Sequence, residues 1–192
     1  NSVVTVTAEG VHDLAGNALE ENTASFVYHK DNLVADSTGL VTESTVIKEA
    51  QDALNGKNGF TVSAEVYTIS IGTVLAQGDA YALGIAEDGT AYFTLNGVTA
   101  VSKTQVNDGA GHTITGVKEN NGIMKIYIDG QLEGSGYRAE NRYYEVEEAD
   151  IVAGNEDFVG VVNAKVQDKA LGYDVVAEQF GEDPAVPGGE QN

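Results

Sequence analysis

The segment 136–144, GYRAENRYY, gathers chemistry that the rest of the chain lacks. It holds both arginines of the protein, Arg138 and Arg142, and three of its nine tyrosines, Tyr137, Tyr143 and Tyr144. Tyrosine rings offer flat faces on which a sugar can stack, with a polar tip at one end. Asn141 supplies a paired donor and acceptor, and each guanidinium supplies a fork that fits a carboxylate. A glycan, acidic ones included, calls for this mixture. Tyr137, Arg138, Asn141, Arg142 and Tyr143 are therefore the candidate ligand contacts. The same residues also allow a plainer arrangement, in which the arginines pair with Glu140, Glu145 or Glu147 and only pin a surface loop.

Other chemistries find little footing. His12, His29 and His112 are widely spaced, with no His-x-x-x-His pair, which argues against a zinc site. No Gly-x-Ser-x-Gly elbow is present, and Gly134-Ser135-Gly136 reads as a turn. The chain has no cysteine, so disulfides, thiol nucleophiles and thiolate metal sites are excluded. The formal net charge is −20, which excludes a phosphate backbone as partner, because that partner needs a basic surface. Solubility, calcium or a neutral ligand remain compatible with such a surplus. No apolar run approaches the ~20 residues of a membrane helix, so no membrane insertion is expected.

The elements that must position these residues read as strands. Glycine is abundant at 23 and proline scarce at 2. Asn55-Gly56, Asn58-Gly59, Asp88-Gly89 and Asn96-Gly97 punctuate short apolar runs, the pattern of tight turns between strands. The organising stretch is 107–130, with runs at 112–118 and 123–129 joined by Glu119-Asn120-Asn121-Gly122. In its second run Met124, Ile126 and Ile128 face one way, while Lys125, Tyr127 and Asp129 face the other, so one face is expected buried and one wet. Residues 60–68 alternate as well, with Phe60, Val62, Ala64 and Val66 inward and Thr61, Ser63, Glu65 and Tyr67 outward. Further strands are expected at 72–76, 80–86, 91–95, 98–102, 143–152 and 158–167, and short ones at 31–35 and 45–49. Residues 131–142 read as a polar loop and 173–180 as a single helical turn. The fold class is all-β, two antiparallel sheets packed face to face.

Asp108, Gly109, His112, Tyr127, Asp129 and Gly130 carry a family resemblance. The stretch resembles the signature hairpin of laminin-G-like (concanavalin A-like) jelly-roll domains, whose pattern is Asp-Gly-x-Trp-His, a strand, a turn, and a strand ending Tyr-x-Asp-Gly. The tryptophan position is here Gly111, so another group must fill the volume of a core aromatic. Residues 59–62 resemble the family's first core strand and 151–171 its closing strands, and the similarity spans roughly 31–181.

The resemblance implies further features. Many such domains hold one structural Ca²⁺, for which Asp36, Asn155 and Asp157 are the matching candidates. Jelly-roll glucanases carry a Glu-x-Asp-x-x-Glu strand, and 145–150 departs from it: Glu147 stands for Asp and Asp150 for the last Glu. A retaining glycosidase needs its carboxyls about 5–5.5 Å apart, so these exchanges favour a solvated acidic edge over catalysis. Residues 1–30 resemble the last two strands of a bacterial Ig-like domain, with the turn Asp13-Leu14-Ala15-Gly16-Asn17 between them; the alternative is a hairpin native to the jelly roll. Residues 182–192 hold both prolines and read as a linker or tail. Beginning at Asn1, the chain reads as a piece of a larger protein. Together these features describe a non-catalytic, extracellular carbohydrate-binding module of a modular bacterial protein, an accessory domain beside the catalytic domain of a glycan-degrading glycoside hydrolase, with protein-binding adhesion or a spacer role as alternatives. Its other partners would be further domains of the same polypeptide.

Overall fold

The structure is a computed structural model, which describes residues 2–7, 23–28, 33–41, 43–51, 54, 59–142, 148–156 and 160–180. Along them run β1 (Ser2–Thr7), β2 (Thr23–Tyr28), β3 (Leu33–Asp36), β4 (Leu40–Val41), β5 (Thr45–Gln51), β6 (Phe60–Tyr67), β7 (Gly72–Gln77) and β8 (Tyr81–Ile85). There follow β9 (Thr90–Leu95), β10 (Val98–Gln105), β11 (Gly111–Lys118), β12 (Ile123–Ile128), β13 (Gln131–Tyr137), a 3-10 turn (Ala139–Arg142), β14 (Ala149–Ala153), β15 (Val161–Gln167) and α1 (Tyr173–Phe180). The chain divides into two compact units, Asn1–Asn32 and Leu33–Asn192. In the first, β1 and β2 pair antiparallel, from Ser2 opposite Tyr28 to Thr7 opposite Thr23. Its loop, with the Asp-x-x-Gly-Asn turn, lies outside the described residues, as does the segment 182–192.

The second unit is a two-sheet sandwich. One sheet runs β10-β9-β8-β7-β14-β5, the other β13-β12-β11-β6-β15-β3, with β4 also on β15. Tight turns between neighbouring strands need positive φ, and Asn96-Gly97 and Asp129-Gly130 supply it, at φ 48° and 75° and at 49° and 75°. The inner faces interdigitate as the alternation predicts: Phe60, Val62, Ala64, Val66, Ile114, Met124 and Ile126 meet Tyr81, Leu83, Phe93 and Leu95, all buried. Phe60 packs against Tyr81 at 5.2 Å between centroids and edge-on against Phe93 at 6.0 Å, joining the sheets near one end. At the open edges β13 lies beside β10, and Glu133 of β13 accepts from Lys103 N, Thr104 N and Thr104 Oγ1 at 2.8, 2.8 and 2.6 Å. Burial works against this charge, yet the Thr104 and Lys103 donors win and hold the carboxyl below the usual range. The clamp occupies edge N–H groups that would otherwise recruit another strand.

The structure corrects four expectations. Residues 131–142 are a strand and a 3-10 turn rather than a loop, because β12 offers a free edge and Ser135 and Tyr137 alternate outward against it. The helical turn at 173–180 extends to eight residues. The outer face of the seven-stranded sheet is dry where α1 and the segment before it cover it: Thr61, Ser63 and Tyr127 are 1%, 2% and 1% exposed. A second small core forms there from Val117, Tyr127, Leu171 and Val176, with Tyr173 6.4 Å from Tyr127 between rings. Position 111, the family's tryptophan site, lies on the outer face and not in the core. Gly111 sits opposite Tyr67, and a Cβ there would come within 2.5 Å of the Tyr67 ring, which fills the space instead.

Lys118 ends β11 opposite Phe60 and Met124, on the inner face, and is fully buried. Burial lowers the pKa of its ammonium from 10.5 to about 8. Between those values the unfolded chain keeps a proton that the folded chain has released, so this group makes stability rise with pH across that window. Lys118→Met should abolish that contribution, on the order of 2 kcal/mol between pH 7.5 and 10. Urea denaturation of both proteins at several pH values reads it directly, and parallel stability profiles would contradict it.

Candidate functional site

The β11–β12 turn is rigid by construction. Glu119 N donates to Ile123 O at 2.8 Å and Gly122 N to Glu119 O at 3.1 Å. Asn121 Oδ1 accepts from Ile123 N at 3.0 Å, and its amide reaches Glu119 Oε2 at 3.4 Å. Lys125 closes an ion pair on Glu119, and this bond holds its ammonium above the usual lysine range. Asn and Gly in the turn thus serve backbone geometry, which leaves Asn120 exposed at the tip.

Beside this turn opens a groove of about 580 Å³, lined by Gly59, the turn residues 119–121 and the segment 168–172. Strand order explains it. Along this end of the sheet the chain presents the close of β13, the β12–β11 turn, the start of β6 and the close of β15. The segment after β15 folds back over β6, where the Thr61 hydroxyl bonds it at two points. Thr61 Oγ1 donates to Lys169 O at 2.8 Å and accepts from Leu171 N at 3.0 Å. Gly59 forms the narrow base, where a Cβ would meet Asn120 Oδ1 at 2.6 Å, Ala170 Cβ at 2.8 Å and Lys118 O at 2.9 Å. The groove therefore sets an amide, two carboxylates and an ammonium (Asn120, Glu119, Asp168, Lys169) around the half-buried Ala170, with Leu171 turned down into the small core.

The 137–142 segment flanks the other side of the turn, where Arg138 N donates to Gly122 O at 3.4 Å. Tyr137 stands opposite Ile123 and is 62% exposed. Arg138 takes the plainer role: its Nε donates to Glu140 at 3.3 Å and its guanidinium to Asn96 O at 2.8 Å. Asn141, expected to face a ligand, turns inward and is 1% exposed, its amide directed at Leu95 O and Met124 Sδ. It anchors the 3-10 turn beneath the β9–β10 turn, where Asn96 also reaches it at 3.4 Å. The Arg142 side chain and Tyr143 lie outside the described set. Of the five predicted contacts the structure thus presents Tyr137 fully and Arg138 in part. The groove residues were not singled out by sequence, since Asn120, Asp168 and Lys169 belong to ordinary polar turns with no distinctive spacing.

The metal candidates are placed on different sheets. Asp36 is exposed on β3, in register with Lys165, while Asn155 follows β14 and its amide donates to Thr73 O at 3.4 Å. Asp157 lies outside the described residues. Among the described residues no three His, Asp or Glu side chains gather as an ion cage, so calcium rests on the resemblance alone. The acidic strand 145–150 is described only from Glu148 onward, with Glu148 and Asp150 exposed.

Residues 41–169 match the family model of the concanavalin A-like lectin/glucanases superfamily. The chain belongs to this superfamily. Among curated proteins none matches it in sequence. Solved structures share its fold at low identity. One is the CBM40 of the Ruminococcus gnavus IT-sialidase, bound to α2,3-sialyllactose, with a TM-score of 0.58 and 15% identity, covering 78% of this chain and all of that one. The binding domain of botulinum neurotoxin DC, in complex with SialylT, gives 0.56 and 12%, covering 76% of this chain. The binding domain of Paraclostridial Mosquitocidal Protein 1 gives 0.57 and 14%, covering 92%. This chain spans 45% and 51% of those two toxin chains. At such identities the likeness shows the fold.

The groove depends on the Thr61 hydroxyl. Thr61→Val keeps the shape but leaves Lys169 O and Leu171 N without their partner, which should cost about 1–3 kcal/mol and loosen the 168–180 segment first. Hydrogen exchange of the 171–180 amides, compared with those of β6, checks this. Equal protection in both proteins would show that the latch is dispensable.

Proposed function

We propose that this domain binds a carbohydrate without transforming it, at the end of the sandwich where the 119–122 turn stands between the groove and Tyr137. The observation that carries this function is the groove. Its volume falls within the roughly 300–1,000 Å³ of small-molecule sites, and it combines the apolar surface of Ala170 with donors and acceptors side by side. A sugar ring presents that combination, with C–H faces and hydroxyls that both donate and accept. Tyr137 adds an exposed ring on the far side of the turn, roughly 10–15 Å away at two to three strand spacings, within reach of an oligosaccharide. The superfamily supports the same function, since the sialidase module and the neurotoxin domain are both described with sialylated ligands.

Binding without turnover fits the carboxylates present. Glycoside cleavage needs one carboxyl as acid and another as nucleophile or base. Glu119 is held by Lys125 and Asn121 in the rigid turn. We read the domain as an accessory module of a larger secreted or cell-surface protein. The separate compactness of Asn1–Asn32 supports its assignment to a preceding Ig-like unit. Protein-binding adhesion is the second reading, favoured by the apolar tip at the opposite end, where Ile69 is 80% exposed beside Tyr67 and Ile71.

A glycan array probed with the 192-residue chain should show retention of a defined glycan class with no product released. Tyr137→Ala should weaken that binding roughly three- to tenfold, the worth of one stacked ring. Retention of no glycan, or release of a cleaved product, would contradict the proposal.

A further inference from the structure

We infer that the groove takes a neutral glycan in preference to a sialylated or uronic one, which refines the glycan site proposed above and rests on it. The charge on its walls points this way. Lys125 is paired with Glu119 and cancels it, which leaves Asp168 beside Lys169 and no net positive charge on the walls for an anion to meet.

Recognition of a sugar carboxylate calls for an unopposed cation, best of all a free guanidinium fork. Among the described side chains at this end, Arg138 is committed to Glu140 and to Asn96 O. The start of α1 offers no substitute. It follows Gly172 directly, but Asp174 in its first turn already answers the positive end of the helix. At long range the formal charge of −20 opposes the approach of any anion.

A neutral sugar meets none of these penalties. Its hydroxyls can accept from Asn120 and Lys169, while its apolar face rests on Ala170. A carboxylate substituent would instead be set near Asp168 and would exchange its hydration for the one ammonium of Lys169. The domain would then share its fold with sialic-acid binders while differing from them in the charge of its ligand.

The test uses the 192-residue chain and an array of neutral oligosaccharides paired with their sialylated or uronate-bearing counterparts, followed by calorimetry at 50 and 500 mM NaCl on the best pair. The neutral member should bind at least about tenfold more tightly at low salt, and its affinity should change less than about twofold with salt. The gap should narrow at high salt, where repulsion is screened. Asp168→Asn should narrow it at low salt, and Asn120→Ala should weaken the neutral ligand about tenfold with an unchanged melting temperature. Tighter binding of the acidic member, with affinity that falls as salt rises, would overturn the neutral assignment while leaving a glycan site in place. Binding of no glycan would overturn the site itself and this inference with it.

Discussion

One hydroxyl latches a wall of the site to the sheet. Thr61 lies on the outer face of β6, where alternation alone would leave it wet, and it both donates and accepts across to the 168–172 segment. That segment is short of regular structure, and α1 has eight residues, fewer than the ~12–15 at which an isolated helix becomes even marginal in water. Apolar contact with Val117 and Tyr127 favours burial of Leu171 and Val176 but does not fix where along the sheet they sit. Hydrogen bonds are directional and supply that register. The wall of the groove formed by Asp168, Lys169 and Ala170 is set by the latch, and the opposite wall by the turn.

The turn in its own right depends on the core beneath it. Lys118 precedes it, facing Phe60, and Phe60 joins the sheets through Tyr81 and Phe93. These large side chains lie under the end at which the groove opens, so the spacing of the sheets is fixed where precision matters most. The other end carries a different design. There His112 bridges Asp129 at 2.8 Å and Asp108 at 3.3 Å, and Asp129 Oδ1 accepts from Thr113 N at 2.7 Å. Of the signature residues that carried the family resemblance, Asp108, His112 and Asp129 thus hold a turn in shape, away from the groove, while Tyr127 packs beneath α1.

The strands were legible because alternation and Asn-Gly or Asp-Gly turns are local signals. The paired runs at 112–118 and 123–129 match β11 and β12 within a residue or two. What the sequence concealed was contact between distant segments. Tyr127 alternates as a solvent-facing residue, and only the return of residues 171–176 buries it. Asn141 sits in a run of polar residues, and nothing local shows that its amide turns under the β9–β10 turn. Gly111 took the family's aromatic position, yet the compensating ring belongs to Tyr67, more than forty residues earlier. The same limit hid the groove, whose walls come from three separated parts of the chain.

The central claim is one of place: ligand lies between the hairpin turn and the latched segment. Backbone amide chemical-shift mapping during titration with the glycan selected on the array tests it most directly. The account predicts that the largest changes fall at Asn120, Asn121, Lys169, Ala170 and Gly172 and extend to Tyr137. Changes centred instead on the outer face of the six-stranded sheet, at Tyr92, Thr94 and Val101, would contradict it.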